Sequence, residues 1–149
     1  MWKHFSTVNV SVPAVGKIVG GKVQQNIEIS ISHPKQGFRN ACAIRMSYSL
    51  LHSGVIIGQG KWAAVSGADK KQYIFRVDDM KKFLQASFGK PDKTVVNPTE
   101  RDLCCMKGIL VFTQQFDGAT GHATLWDGRL CSDHCYFPRS TKAELWLLN

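Results

Sequence analysis

Cys42 stands where a thiol can act as a nucleophile. It opens the stretch Ala43-Ile44-Arg45-Met46-Ser47-Tyr48-Ser49-Leu50-Leu51, preceded by Asn40-Ala41 and followed by Gly54. At about 100° per residue, Ala43, Ile44, Met46, Leu50 and Leu51 crowd one side, and Arg45, Ser49 and His52 fall on the other. This predicts a half-buried helix with Asn40 as its N-cap, Cys42 in its first turn and Gly54 just beyond its end. At that terminus the unpaired amides and the positive end of the helix dipole favour an anion, the form in which sulfur attacks. The competing use of Cys42 is as a small buried hydrophobe.

A thiol nucleophile needs a base within hydrogen-bond reach and a third group that fixes the imidazole tautomer. Five histidines compete for the role of base. His4 is in a terminal segment, and His33 precedes Pro34 in a loop. His52 lies on the polar side of the Cys42 helix, about 15 Å along it at ~1.5 Å per residue. His134 falls between Cys131 and Cys135. His122 opens an alternating strand after Gly121, where an imidazole can face a sheet edge against which the helix packs. Two carboxylates follow it: Asp127, in a Trp-Asp-Gly turn that commonly uses Asp structurally, and Asp133 on the next segment. Both remain candidates for the orienting acid.

The five cysteines are Cys42, Cys104, Cys105, Cys131 and Cys135. The odd count suggests pairs plus a free thiol, and Cys131 and Cys135 are close enough to bridge across a tight loop. Cys131, His134 and Cys135 with Cys104 or Cys105 also offer the ligand types of structural zinc. No Cys-x-x-Cys pair is present, however, and an adjacent pair rarely chelates one ion. Cys104 and Cys105 read as buried residues beside a strand. Trp126 has two uses, stacking on a substrate or filling the core at a strand end.

The elements that must position these groups follow from periodicity. Val12, Val15, Val19 and Val23 predict a first helix between Val8 and Ile27, weakened by Gly16, Gly20 and Gly21, whose commoner structural use is to admit another backbone. Residues 29–40 read as a loop. Val55-Ile56-Ile57 suits a strand or buried turn, residues 61–68 are irregular, and Tyr73 to Val77 reads as a strand. Asp78 is placed to cap a helix running to Phe88 and stopped by Gly89 and Pro91. Residues 91–102 read as a mobile loop. Strands are expected at Lys107–Phe112, His122–Trp126 and Ala143–Leu148, with turns at Asp117-Gly118 and Asp127-Gly128. A helix-rich half followed by antiparallel strands is an α+β arrangement. At 149 residues it forms one domain, 1–149.

Residues 40–47, followed about eighty positions later by Gly121-His122-Ala123-Thr124-Leu125-Trp126-Asp127-Gly128 and then Asp133, resemble the fourth family of type VI secretion amidase effectors. The resemblance covers nearly the whole chain. It implies a papain-like cysteine amidase fold in which Cys42 is the nucleophile, His122 the base and Asp133 the orienting acid. It also implies cleavage of the γ-D-glutamyl to meso-diaminopimelate bond of peptidoglycan stem peptides, with no cofactor and no metal. The Cys42 amide is the natural oxyanion donor, and Gln36 has the offset of a second donor in papain-type enzymes. Implied partners are the type VI secretion machinery and a cognate immunity protein that blocks the cleft.

Composition sets outer bounds. The content of 44% hydrophobic and 20% charged residues is that of an ordinary globule, with no run long enough to insert into a membrane. The first residues lack the pattern of a secretory signal peptide. Cytoplasmic synthesis, delivery by type VI secretion and action in the periplasm of a target Gram-negative cell reconcile that with a wall substrate. A net charge of +8 attracts polyanions, but the basic residues are dispersed and carry no RNA-binding aromatic motif, so no nucleic-acid partner is expected. The rival readings are a housekeeping or phage cell-wall amidase, and a basic nucleic-acid-binding module with a structural zinc.

Overall fold

Where the valine spacing predicts one N-terminal helix, the chain forms three: α1 (Trp2–Val8), α2 (Val12–Val19) and α3 (Gly21–Ser32). The breaks have local causes. Ser11 accepts a hydrogen bond from the Ala14 amide at 3.4 Å and starts α2, with Pro13 in its first turn. Gly20 and Gly21, at φ 68° and 60°, turn the chain into α3. A Cβ on Gly21 would collide with the backbone of Gly67 and Ala68, and the Ala68 amide donates to the Val19 carbonyl at 2.9 Å. The computed structural model describes the chain apart from residues 117 and 118 and the side chains of 115, 116 and 119. The expected Asp117-Gly118 turn lies outside the described residues.

Helix α4 (Cys42–His52) is the element around which the other layers gather: α1, β2 and β5 all pack against it. Ala43, Ile44, Met46, Leu50 and Leu51 are buried, as the wheel predicts. Ser49, expected on the polar side, is buried too, because α1 covers that flank. Arg45 ties the N-terminal segment down, donating from Nε to the Val8 carbonyl at 2.9 Å and from Nη2 to the Val10 carbonyl at 2.7 Å. The helix then leads into a small hairpin, β1 (Ala64–Ser66) and β2 (Gln72–Ile74), and α5 (Val77–Phe88). Thus β1 replaces part of an irregular stretch, Val55-Ile56-Ile57 forms no strand, and the strand expected at Tyr73–Val77 stops early because α5 begins at Val77. Asp78 lies inside α5 instead of capping it, and with Asp79 it meets the positive end of the dipole.

The main sheet has the antiparallel order β3-β6-β4-β5, built from β3 (Lys93–Val96), β4 (Gly108–Phe116), β5 (Ala119–Trp126) and β6 (Lys142–Leu147). Its β3 edge lies in the stretch expected to be a mobile loop. An edge strand with mostly exposed side chains has a loop's composition, and only pairing to β6 makes it a strand. Both sheet faces are covered. Ile109, Val111, Ala123 and Leu125 join the core shared with the helices, while Leu110, Phe112, Trp126 and Leu145 pack with Leu103 and Phe137 on the far side. This two-sided burial is why β4 reads as a continuous apolar run. Among the described residues, no helix is long and apolar enough to cross a membrane.

Candidate active site

The sequence places Cys42, His122 and Asp133 on three separate elements, and the fold brings them together. Cys42 is the first residue of α4, with Ala41 as the N-cap, one position later than expected. Asn40 still acts on this terminus: its Oδ1 accepts the Cys42 amide at 3.0 Å. That bond occupies the amide assigned as oxyanion donor. Cys42 is 2% exposed and belongs to the helix–sheet core.

His122 lies on β5, the free edge of the sheet, against which α4 packs. Of the five histidines it alone is buried. Its Nε2 is 3.0 Å from both Asp133 oxygens, and the imidazole is also hydrogen-bonded to Cys42. With Nε2 committed to the carboxylate, Nδ1 is the nitrogen left for sulfur. Burial pulls the His122 pKa down, but the bonds to Asp133 and Cys42 outweigh it and push it up to about 9. The protonated ring is therefore stabilised between two potential anions.

Asp133 is held from several directions. Thr124 Oγ1 donates to Oδ1 at 2.6 Å. Thr124 and His122 are two apart on one strand, so they share a face and grip the same carboxylate. Burial raises the Asp133 pKa, yet the bonds from His122, Thr124 and the His134 amide prevail and hold it below the usual carboxylate range. The segment carrying it is tied back by the Ser132 amide to the Leu125 carbonyl at 2.8 Å and by Asn9 Nδ2 to the Ser132 carbonyl at 3.0 Å. A disulfide joins Cys131 and Cys135, whose Cα atoms are 5.5 Å apart, and so brackets Asp133. These two sulfurs are thus not thiolate ligands for zinc, and no cluster of three or more metal-binding side chains occurs among the described residues.

The remaining candidates separate clearly. Asp127 is exposed and structural, its Oδ1 accepting the amides of Arg129 and Leu130 at 2.8 Å each. Trp126 cannot stack on a substrate. It is 1% exposed, its ring packs edge-on against Phe137, and its indole donates to the Leu103 carbonyl at 2.9 Å. It lies on the same face of β5 as His122 and Thr124, but Leu103 and Phe137 cover it there. Gln36 lies in an exposed loop folded onto α3, and no hydrogen bond among the described residues links it to Cys42 or His122. Cys104 and Cys105 are exposed, contrary to expectation, because they occupy a turn ahead of β4.

Sequence reasoning missed Tyr136, whose ring meets His122 edge-on at 4.9 Å between centroids. Burial and the nearby Asp133 and Cys42 raise its pKa. It also missed Thr124, for which the two-residue spacing from His122 was an available signal.

The fold is shared with known proteins. Residues 38–146 match the sequence profile of the type VI secretion system amidase effector protein 4 family, Tae4. The Tae4 effector of Enterobacter cloacae, solved alone, superposes with a TM-score of 0.90 at 45% identity, covering 99% of this chain and 93% of that one. The same effector in its Tae4-Tai4 effector-immunity complex gives 0.90 at 44% identity over 99% and 95%. The complex from Salmonella Typhimurium gives 0.86 at 42% identity over 99% and 95%. No curated protein sequence matches. With a family profile spanning most of its length and solved relatives above 40% identity along nearly all of it, the chain belongs to the type VI secretion amidase effectors of the fourth family.

Proposed function

We propose that this amidase effector is a cysteine DL-endopeptidase that cuts the γ-D-glutamyl to meso-diaminopimelate bond of peptidoglycan stem peptides in the periplasm of a target cell. The observation carrying this reading is a helix-terminal thiol bonded to an imidazole whose other nitrogen is 3.0 Å from a buried carboxylate. His122 takes the Cys42 proton, and sulfur attacks the amide carbonyl to give a tetrahedral oxyanion. Collapse expels the amine, which leaves with the proton held by His122. His122 next draws a proton from water, whose oxygen attacks the thioester, and the thiol is restored. Asp133 holds the ring in one tautomer and offsets its charge. The Cys42 amide serves the oxyanion once Asn40 Oδ1 gives way to substrate.

The Tae4-Tai4 effector-immunity complexes of the relatives support a cognate immunity protein for this chain, and blocking of the Cys42 site is the role proposed for it. The test is digestion of purified sacculi with mass identification of the fragments. The unaltered protein should release fragments ending at D-glutamate and beginning at diaminopimelate, and Cys42→Ala should release none. Cleavage at another bond would overturn the specificity; undiminished digestion by Cys42→Ala would overturn the mechanism.

A further inference from the structure

The amidase chemistry leaves two cysteines unused, and they are neighbours in sequence, in space and in exposure. Cys104 and Cys105 occupy the centre of a tight turn in which the Met106 amide donates to the Leu103 carbonyl at 3.3 Å. Cys104 is extended at φ −54° and ψ 138°, and Cys105 is left-handed at φ 68°. This is the pattern of a type II turn, whose third position favours Gly or Asn because a Cβ is strained there. A cysteine in that position has no local conformational reason. The turn brings Sγ of Cys104 to 3.1 Å from Sγ of Cys105, with both thiols exposed to solvent. It is anchored beneath, since Leu103 is fully buried and its carbonyl also receives the Trp126 indole.

We propose that Cys104 and Cys105 form a redox-active vicinal dithiol site, which a disulfide-bearing oxidant closes into an eight-membered vicinal disulfide. One thiolate attacks a sulfur of the oxidant, releasing one small thiol and leaving a mixed disulfide. The neighbouring thiolate displaces the second small thiol and closes the ring. Two protein thiols thus lose two electrons and two protons, and the oxidant's disulfide becomes two thiols. Adjacent Cα atoms are about 3.8 Å apart, below the range in which disulfides are usually relaxed, so this bond is expected to be more easily reduced than Cys131–Cys135. The folded turn favours closure because it already holds the sulfurs together.

The proposal is tested on the folded full chain carrying Cys42→Ala, which keeps the catalytic thiol out of the exchange. The protein is equilibrated in glutathione buffers of graded oxidised-to-reduced ratio, quenched by alkylation and digested with trypsin. The fragment from Asp102 to Lys107 carries both cysteines. It should pass from doubly alkylated to an unalkylated form two hydrogens lighter, at ratios where the Cys131–Cys135 fragments stay oxidised throughout. Adding Cys104→Ser removes the resolving thiol and should leave a persistent glutathione adduct on Cys105. Double alkylation at every ratio, glutathione adducts persisting with both cysteines present, or pairing between two molecules would each overturn the proposal.

Discussion

Asp133→Asn isolates the charge of the carboxylate from its shape. The His122 pKa rises from its ordinary 6.5 to about 9. That span of ~2.5 units corresponds to ~3.4 kcal/mol at ~1.36 kcal/mol per unit. The side chains of His122 and Asp133 are only 8% and 4% exposed, so solvent screens little of it. Burial opposes the rise, and the Asp133 bond is the largest contribution favouring it. Losing the charge while keeping an acceptor for Nε2 should remove on the order of 2 kcal/mol, about a 30-fold effect on the ring's protonation. Because the folded pKa is the raised one, stabilisation by the imidazolium is complete below 6.5 and lost as pH rises through about 9. The alkaline limb of kcat/KM for stem-peptide hydrolysis should therefore start near pH 9 in the unaltered protein and move toward neutrality in Asp133→Asn. The Tm difference between the two should be largest in mild acid and shrink above pH 9. An unmoved alkaline limb, or a Tm gap that widens with alkalinity, would refute this account of the triad.

Trp126→Phe keeps an aromatic ring in the far-side core but loses the bond to the Leu103 carbonyl. It should lower stability by about 1 kcal/mol in chemical denaturation and leave KM unchanged; a raised KM at unchanged stability would restore a substrate role. Paired Cys131→Ala and Cys135→Ala open a loop of sequence separation 4 around Asp133. Loop-closure entropy assigns roughly 2 kcal/mol to so short a loop. Denaturant titration should show that loss, with a fall in kcat larger than any change in KM, since the role proposed for Asp133 is to position the base and not to bind substrate.

Local pattern made much of this protein legible. Apolar spacing predicted α4 and the three long strands, because each depends on a face buried along its own length, and Gly89 marked the end of α5. The Cys42 stretch and the His122 stretch carried enough of the family pattern to single out Cys42, His122 and Asp133 as the candidates that the fold brings together. Other features depended on distant partners. β3 is a strand only because β6 pairs with it, and Gly20 and Gly21 divide the N-terminal helices where the Gly67 backbone must approach. Trp126 shares the His122 face of β5 and is withheld from substrate only because Leu103 and Phe137 cover it, a burial that no alternation within one strand encodes. The choice of Asp133 over Asp127 likewise needed the turn at Gly128 and the grip of Thr124, which deliver one carboxylate to His122 and leave the other in solvent. The sequence by itself determined which groups could react; only the tertiary structure decided which of them meet, because hydrogen bonding depends on separation in space across chain segments that local propensity treats independently.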